Sequence, residues 1–519
     1  MSTPNIQGSR VKKTLLNVRV NFIIQLLTLF LTFFSRKIFL EYLNADFVGL
    51  TGTLSNILGY LNLAELGIGS AIAFNLYKPL HYHEHDKIIK LVSLFGYYYR
   101  NIGLIVLGAG IIISIFFPLI FKDSNFPFEI IYFAFFSFLS SSLIGYFLNY
   151  RATVLSADQK DYLVTGYIQG ASLLKTIIQL IFAYYTSNCY IWIGLELTFS
   201  IITSFILNWK IDRTYPWLRC SIKLGKNQSK DFPNILKSTK QIFVHKIKDF
   251  ILTQSDQLFV FAFASLKMVA YYGNYVVVIS RTWSFLSTVL NSVGASIGNL
   301  VAENNKPKMI QVFWEIMALR FFLAGFICFS IYQLIDPFIT LWLGEEYLLQ
   351  RSILIFLIVN QFIMMTRGAI DQFNAAFGHY ADTWTAWVEG IINLTVTIIG
   401  GYFWGIPGVL LGKTASIVPI VVFWKPLYLF KEGFQVSYRK YWKGTIRYYI
   451  IFIICCLITH FILKFIPINP YLSFGWWFIF AIISASSFGF LYLTGIIVWG
   501  YGGKNLFSRL PLDKVRLKF

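Results

Sequence analysis

The sequence predicts an all-α polytopic membrane protein, and two observations lead to this prediction. The 519 residues are 56% hydrophobic and 19% aromatic but only 13% charged, which is roughly half the charged fraction of a soluble domain. Apolar runs of about 20 residues recur along the whole chain, and each is long enough for a helix to cross the hydrocarbon layer. We predict about 14 transmembrane helices, in two pseudo-symmetric six-helix lobes plus an extra C-terminal helix pair.

The ends of the apolar runs give the individual spans. The first run follows a polar tail and is too long for a signal-peptide core, so we expect it to remain in the membrane. The second and eighth are long enough to tilt or to extend beyond the hydrocarbon. The predicted spans are 19–41, 47–76, 90–117, 128–150, 162–186, 189–209, 242–264, 268–300, 311–335, 350–376, 383–403, 406–429, 445–466 and 476–499.

The basic residues indicate the orientation of the chain. A net charge of +20 first suggests a nucleic-acid partner. However, 32 of the 44 basic residues fall in the tails and the loops on one side, and only Lys122, Lys267, Arg351 and Lys464 fall on the other. This distribution is typical of cytoplasmic loops, so both termini are predicted to be cytoplasmic. Topology therefore explains the charge, and no nucleic-acid partner is expected.

Loop lengths suggest the domain organisation. The one long connection is basic and follows the sixth span, and no outward loop is long enough to form a folded domain. We predict an N-terminal six-helix lobe at 1–210, a basic cytoplasmic linker at 211–241, a C-terminal six-helix lobe at 242–430, and the extra helix pair with a basic cytoplasmic tail at 431–519.

One stretch, Leu61–Leu80, is predicted to cross the membrane as a helix that breaks at Lys78-Pro79. Its pattern returns 229 positions later with six identities over 15 positions, which predicts an internal repeat of the kind found in transporters. Small residues at four-residue spacing let a neighbouring helix approach closely. The small or polar face consists of Asn62, Glu65, Gly69 and Ala73.

Charged residues inside the predicted spans are the candidates for function. Each costs on the order of 2.5–3.5 kcal/mol at the bilayer centre, so eight cations predict a cavity that receives an anion. The cations are Arg36, Lys37, Arg100, Lys175, Arg281, Arg320, Arg367 and Lys413, and the acids are Glu65, Glu196, Asp256, Glu315, Asp371 and Glu389.

Structural explanations compete with this one. Long basic side chains near a span end can reach the interface, and neighbouring opposite charges can neutralise each other. Four cations could reach the interface or find a partner: Arg36, Lys37, Arg100 and Arg320. Two pairs of opposite charges could neutralise each other: Asp256 with Arg281, and Glu389 with Lys413.

We favour a functional role for Arg367 and Asp371, which form an i,i+4 pair. Gln361, Gln372 and Asn374 make their helix unusually polar for a membrane span.

Three motifs carry no function. Gly408–Thr414 is one residue too short between its glycines for a phosphate-binding loop. Gly67-Ile-Gly69 lacks the βαβ setting of a dinucleotide site. The histidines of 81–86 lie in a short cytoplasmic loop, and the five cysteines have no metal-ligand spacing. No metal, cofactor or ATP site is predicted, so the driving force is expected to come from an ion or substrate gradient.

Four segments resemble Wzx-type oligosaccharide flippases. The segment AELGIGSAIAFNLYKP, which starts at Ala64, is similar to their second-helix signature. Tyr271–Tyr275 and Ser296–Glu303 resemble their seventh-to-eighth helix region, and Asp371–Tyr380 is similar to the end of their tenth helix. The family belongs to the multidrug/oligosaccharidyl-lipid/polysaccharide exporter superfamily.

The resemblance implies two six-helix lobes around a central cationic cavity that works by alternating access. It implies a substrate as well, an oligosaccharide on undecaprenyl diphosphate that is moved to the outer leaflet of the bacterial cytoplasmic membrane. Contacts with a polysaccharide polymerase and glycosyltransferases would follow. Arginine suits a diphosphate because its planar fork donates two hydrogen bonds at once. The candidate substrate-binding residues are Arg36, Lys175, Arg281, Arg367 and Asp371, and the candidates for coupling to a sodium ion or proton are Glu65 and Asp256.

Other functions remain open. A lipid II flippase or a drug exporter of the same superfamily is the nearest alternative, although an exporter of cationic drugs should favour embedded acids over bases. A membrane enzyme, such as an O-antigen polymerase or a polyprenyl glycosyltransferase, usually needs a large outward loop or an Asp-rich site. Neither is visible, so we predict that the protein is not an enzyme. A non-transporting scaffold would not need charges within the bilayer.

Overall fold

The structure is a computed structural model, and all of its regular secondary structure in the described residues is helical, without a strand. The described residues are 6–65, 68–158, 160–228, 255–291, 297–298, 300–301, 303–378 and 384–509.

The chain divides into two compact units. The first comprises Met1–Phe261 with Ser265–Ala270, and the second comprises Ala262–Ala264 with Tyr271–Phe519. Much of the predicted linker, from residue 229 onward, lies outside the described residues, so the predicted domain boundaries stay predictions.

The long helices are labelled in chain order. In the first unit they are α1 Ile6–Leu43, α2 Ala45–Leu61, α3 Ile68–His81, α4 His85–Ile115, α5 Phe128–Leu148, α6 Asp161–Thr186 and α7 Cys189–Thr214. They continue as α8 Leu266–Asn291, α9 Lys306–Trp342, α10 Arg351–Thr366, α11 Gly368–Ala376, α12 Trp384–Trp404, α13 Ile406–Ile417, α14 Arg439–Lys464 and α15 Phe474–Trp499.

Ten helical segments within the described part of the chain are long and apolar enough to cross a bilayer. The predicted fold class, an all-α polytopic membrane protein, is confirmed. The fifth predicted span corresponds to α6, which is not among the ten and carries Gln169, Lys175 and Gln179. The seventh predicted span lies mostly outside the described residues.

The prediction for Leu61–Leu80 is wrong in its break point. Regular α-helix ends at Leu61, and Asn62–Glu65 forms a 3₁₀ turn. Pro79 lies inside α3, which continues to His81. The Asn62 side chain accepts hydrogen bonds from Ser142 and Tyr146 of α5, and the side chain of this residue type competes with regular helix for hydrogen bonds. Part of the second copy of the repeat, residues 292–296, 299 and 302, lies outside the described residues.

Glycines let α12 and α13 pack backbone to backbone in the second unit. A Cβ on Gly408 would lie 1.9 Å from the carbonyl oxygen of Gly400, and one on Gly412 would lie 2.0 Å from Oγ1 of Thr397. Because only glycine permits this approach, the spacing of Gly408 and Gly412 serves helix packing. This explains a pattern that superficially resembles a phosphate-binding loop.

Candidate functional site

The second unit contains a charge cluster built around Asp371, on α11. Oδ2 of Asp371 lies 2.7 Å from Nε of Arg367, and Oδ1 lies 2.9 Å from Nζ of Lys425. The three side chains are 16–29% exposed, so water reaches them only partly. One carboxylate therefore bridges two cations, and the predicted i,i+4 pair of Arg367 and Asp371 is present.

A third cation, Arg320 of α9, completes the cluster. Its residue is only 1% exposed, and its guanidinium donates hydrogen bonds of 3.3 Å to the carbonyl oxygens of Met365 and Leu290. It also interacts electrostatically with Asp371. Its Nε has no hydrogen-bond partner among the described residues. We call Arg320, Arg367, Lys425 and Asp371 the Asp371 cluster.

The local sequence explains how Arg320 fits there. The helix is interrupted at Arg367, between α10 and α11. The next residue is Gly368, where a Cβ would lie 2.1 Å from Nη1 of Arg320. The absence of a side chain at 368 therefore makes room for the buried guanidinium.

The Asp371 cluster carries three positive charges against one negative charge. All four residues lie on candidate membrane-spanning segments. A buried cation is costly unless an anion or hydrogen bonds compensate it. The Asp371 cluster is therefore suited to accepting a further anion. Arg367 also lines a pocket of about 10 Å³, room for about one water molecule.

The first unit contains a larger polar cavity of about 400 Å³, the Arg36 cavity. Arg36 donates a 2.9 Å hydrogen bond to the carbonyl oxygen of Ala270, which fixes the guanidinium at the wall. Hydroxyl and amide groups provide most of the other polar lining. The residues of the lining are Arg36, Val48, Thr51, Gly52, Ser55, Leu58, Asn62, Phe138, Ser141, Ser142, Trp192 and Glu196.

A second cavity, of about 280 Å³, shares Trp192 and Glu196 with the Arg36 cavity. In its lining, Nζ of Lys175 lies 2.5 Å from Oε1 of Glu196, and Gln179 donates a 3.2 Å hydrogen bond to Oε2. Lys175 thus lines a cavity, as proposed from the sequence, but Glu196 neutralises its charge.

Two buried donors at the Arg36 cavity lack partners. Oγ of Ser141 and Nε1 of Trp192 have no hydrogen-bond partner among the described residues. Buried polar groups in proteins are generally hydrogen-bonded. These donors therefore mark positions where water or a ligand group can bind.

Glu65 belongs to a polar group at the 3₁₀ turn, next to Asn62 and Ser142 of the Arg36 cavity. Tyr99 donates a short hydrogen bond to Oε1 of Glu65. Oδ1 of Asn62 accepts hydrogen bonds from Ser142 at 3.0 Å and Tyr146 at 2.9 Å. The 3₁₀ turn presents Asn62 and Glu65 on one side because residues three apart nearly eclipse in that helix.

The predicted site residues divide between the units. Arg36, Lys175, Glu65 and Asp256 belong to the first unit, where Asp256 is 8% exposed. Arg281, Arg367 and Asp371 belong to the second. The structure brings Arg367 to Asp371 but leaves Arg281 exposed on α8.

Two residues of the Asp371 cluster were missed from the sequence. Lys425 was counted with the basic residues of the cytoplasmic side, although both the predicted span 406–429 and the candidate span Ile406–Gly433 contain it. Arg320 was among the embedded cations but not among the candidate binding residues, and it does not reach the interface because it is buried. The signal for Lys425 was available, because apolar residues continue beyond it to Phe430.

Solved structures of transporters share this fold. A structure of the lipid II flippase MurJ in an inward closed conformation matches with a TM-score of 0.63 and 17% identity, covering 97% of this chain and 100% of that one. A multidrug resistance MATE family transporter of the MOP superfamily, in an inward-facing conformation, matches with a TM-score of 0.53 and 13% identity, covering 74% and 91%. A mutant of the Vibrio cholerae MATE transporter VcmN matches with a TM-score of 0.50 and 14% identity, covering 79% and 94%.

No protein-family model and no curated protein matches the chain. At these identities the likeness establishes the fold, which this chain shares with the flippase and MATE transporter structures.

Proposed function

We propose that the protein is a flippase that moves oligosaccharides linked to undecaprenyl diphosphate from the cytoplasmic to the outer leaflet. The observation that carries this proposal is the excess of cations in the Asp371 cluster, of which Arg320 is buried and Arg367 and Lys425 are partly buried. A diphosphate has the charge to neutralise that excess and the oxygen geometry to accept paired hydrogen bonds from Arg320 and Arg367. Asp371 would act as the resident counter-ion that the diphosphate replaces.

The position of the Asp371 cluster along its helices fits uptake from the cytoplasmic side. With both termini cytoplasmic, as the positive-inside pattern predicts, the cytoplasmic end of α11 is Ala376. Arg367 is nine residues from that end, about 14 Å along a helix. A lipid diphosphate in the cytoplasmic leaflet would therefore meet the Asp371 cluster within the first half of its path.

Taken by itself, the Arg36 cavity of the first unit has the chemistry of a sugar-binding site. Its hydroxyl, amide, guanidinium and indole groups offer donors and acceptors for a polyhydroxylated ring, and 400 Å³ lies within the range of small-molecule sites. Arg36 and Arg281 remain proposed substrate contacts. Lys175 would act through Glu196. Alternating access of the two units would carry the substrate across, with Glu65 and Asp256 proposed to bind a coupling proton or sodium ion.

A lipid II flippase is the second candidate, and one observation favours it. The similarity to MurJ extends over 97% of this chain, whereas the MATE transporters match 74% and 79% of it. Both candidate substrates are polyprenyl diphosphates, so the same cations would serve either one. A drug exporter is less well supported, because cationic drugs would be repelled by the Asp371 cluster. We propose no enzymatic activity, and we place the protein in the bacterial cytoplasmic membrane beside the polymerase and glycosyltransferases.

A flipping assay in liposomes tests the proposal. The purified protein is reconstituted with fluorescent undecaprenyl-diphosphate oligosaccharide or with fluorescent lipid II, and the outer-leaflet fraction is followed by quenching. We expect faster flipping of the oligosaccharide carrier than in empty liposomes. Arg367→Ala and Arg281→Ala should each slow it, while Lys122→Ala, at an exposed loop cation, should not. Full-rate flipping by both arginine variants would show that the cations do not form the binding site.

A further inference from the structure

The C-terminal helices α14 and α15 bind tightly to α9, the helix that carries Arg320. Tyr492 of α15 is fully buried, and its hydroxyl donates a 3.1 Å hydrogen bond to the carbonyl oxygen of Phe321. Tyr448 of α14 is also fully buried, and its hydroxyl donates a hydrogen bond to the carbonyl oxygen of Tyr501. A helix carbonyl can accept a second hydrogen bond, so Tyr492 holds α9 through a hydrogen bond, whereas Tyr448 contacts α9 through its ring.

Glycines bring the same helices into close contact. A Cβ on Gly325 would lie 2.4 Å from the ring of Tyr492, and one on Gly444 would lie 2.2 Å from the ring of Trp314. Since neither site has room for a methyl group, the contact has a single closely packed arrangement.

The contact reaches the residue next to the buried cation. Phe321 follows Arg320 and stacks on Tyr448 with ring centroids 4.7 Å apart and planes at 16°. A shift of α9 relative to the helix pair would therefore carry Arg320 with it. The guanidinium bonds of 3.3 Å to Met365 and Leu290 have little length to spare.

The helix pair also approaches the second arginine. Tyr441 and Tyr449 of α14 line the small pocket that contains Arg367. Tyr449 in addition contacts Phe362 on α10, with ring centroids 6.1 Å apart. The helix pair thus contacts both helices whose arginines belong to the Asp371 cluster.

We propose that α14 and α15 position the diphosphate-binding cations, with Tyr492 and Tyr448 as the positioning residues. The C-terminal pair is then a required part of the substrate site, not an appendage to two complete lobes. This inference rests on the proposed function, because it assumes that the Asp371 cluster binds a diphosphate.

The test is the affinity of the full-length purified protein for farnesyl diphosphate, measured beside its affinity for farnesol. Tyr492→Phe removes one hydroxyl and keeps the packing, so we expect diphosphate binding to weaken about three- to tenfold with farnesol binding unchanged. The matched control is Thr494→Val on the same helix, because Thr494 bonds only within α15, to Phe490 at 2.7 Å. Gly325→Ala is the second variant, and it should also lower the affinity for farnesyl diphosphate relative to that for farnesol.

The outcomes separate this inference from the proposed function. If the unmodified protein binds farnesyl diphosphate no better than farnesol, the proposed function fails and the positioning role fails with it. If it prefers the diphosphate and both Tyr492→Phe and Gly325→Ala keep that preference, the positioning role alone is wrong. A loss of diphosphate binding in both variants with farnesol binding unchanged supports it, because a general loss of structure would weaken the binding of both ligands.

Discussion

Removing the carboxylate of Asp371 should leave repelling cations inside the membrane. Asp371→Asn keeps the shape of the side chain but raises the charge of the Asp371 cluster by one. The two cations that Asp371 bridges lie 2.7 and 2.9 Å from its oxygens, which puts them roughly 5 Å apart. At that distance two unit charges repel by about 3 kcal/mol at an effective dielectric constant near 20, and the substitution removes the carboxylate whose attraction to both cations offsets this repulsion. We therefore expect a loss of about 2–4 kcal/mol, near the range measured when one partner of a buried pair is removed.

Thermal unfolding in detergent, followed by intrinsic fluorescence, measures this loss. Inorganic pyrophosphate should raise the unfolding temperature of Asp371→Asn more than that of the unmodified protein, because it replaces the missing charge. Adding Lys425→Met restores the original net charge of the Asp371 cluster, so the double variant should recover much of the stability. If Asp371→Asn is as stable as the unmodified protein, and pyrophosphate raises its unfolding temperature no further, then Asp371 does not neutralise these cations.

Three further predictions concern other parts of the molecule. Gly400→Ala should lower the free energy of unfolding by about 1–3 kcal/mol, because its Cβ would lie 2.6 Å from a backbone oxygen of α13. The control is Gly390→Ala on the same helix, where a Cβ meets no described atom within 4 Å and stability should not change. Equal effects of the two substitutions in thermal unfolding would contradict the close packing of α12 on α13. Burial raises the pKa of the Cys220 thiol to about 11. In a protein whose other cysteines are replaced, the rate of maleimide labelling should therefore be slow at pH 7.5 and rise about tenfold per pH unit toward pH 11. A rate that levels off above pH 8.5 would show a thiol with an ordinary pKa. Glu65→Gln preserves an acceptor for Tyr99 but removes the charge, so flipping should lose its dependence on the ion gradient; a retained dependence would exclude Glu65 as the coupling group.

Local patterns predicted much of the fold. The apolar runs gave the fold class and most helix positions, since hydrophobic length alone determines what can cross a bilayer. The pairing of Arg367 with Asp371 was predictable because both residues lie on one helical face. The roles proposed for these residues were not tested by the fold and stay predictions.

The missed residues depend on features that a span-by-span reading does not contain. Lys425 lies between two π-helical segments, Val418–Trp424 and Leu429–Gly433, and its approach to Asp371 joins residues 54 positions apart. The surroundings of Arg320 come from residues 30 and 45 positions away. The 3₁₀ turn at Asn62 likewise depends on α5, which supplies the tyrosine and serine that bond to its side chain.

The most direct measurement is the affinity of the purified protein for farnesyl diphosphate relative to farnesyl monophosphate, compared with the same ratio for Lys425→Met. If buried cations recognise a lipid diphosphate, the unmodified protein should prefer the diphosphate at least tenfold, and Lys425→Met should lose most of that preference. Equal affinity for the two lipids, or a preference that survives the loss of Lys425, would contradict the account.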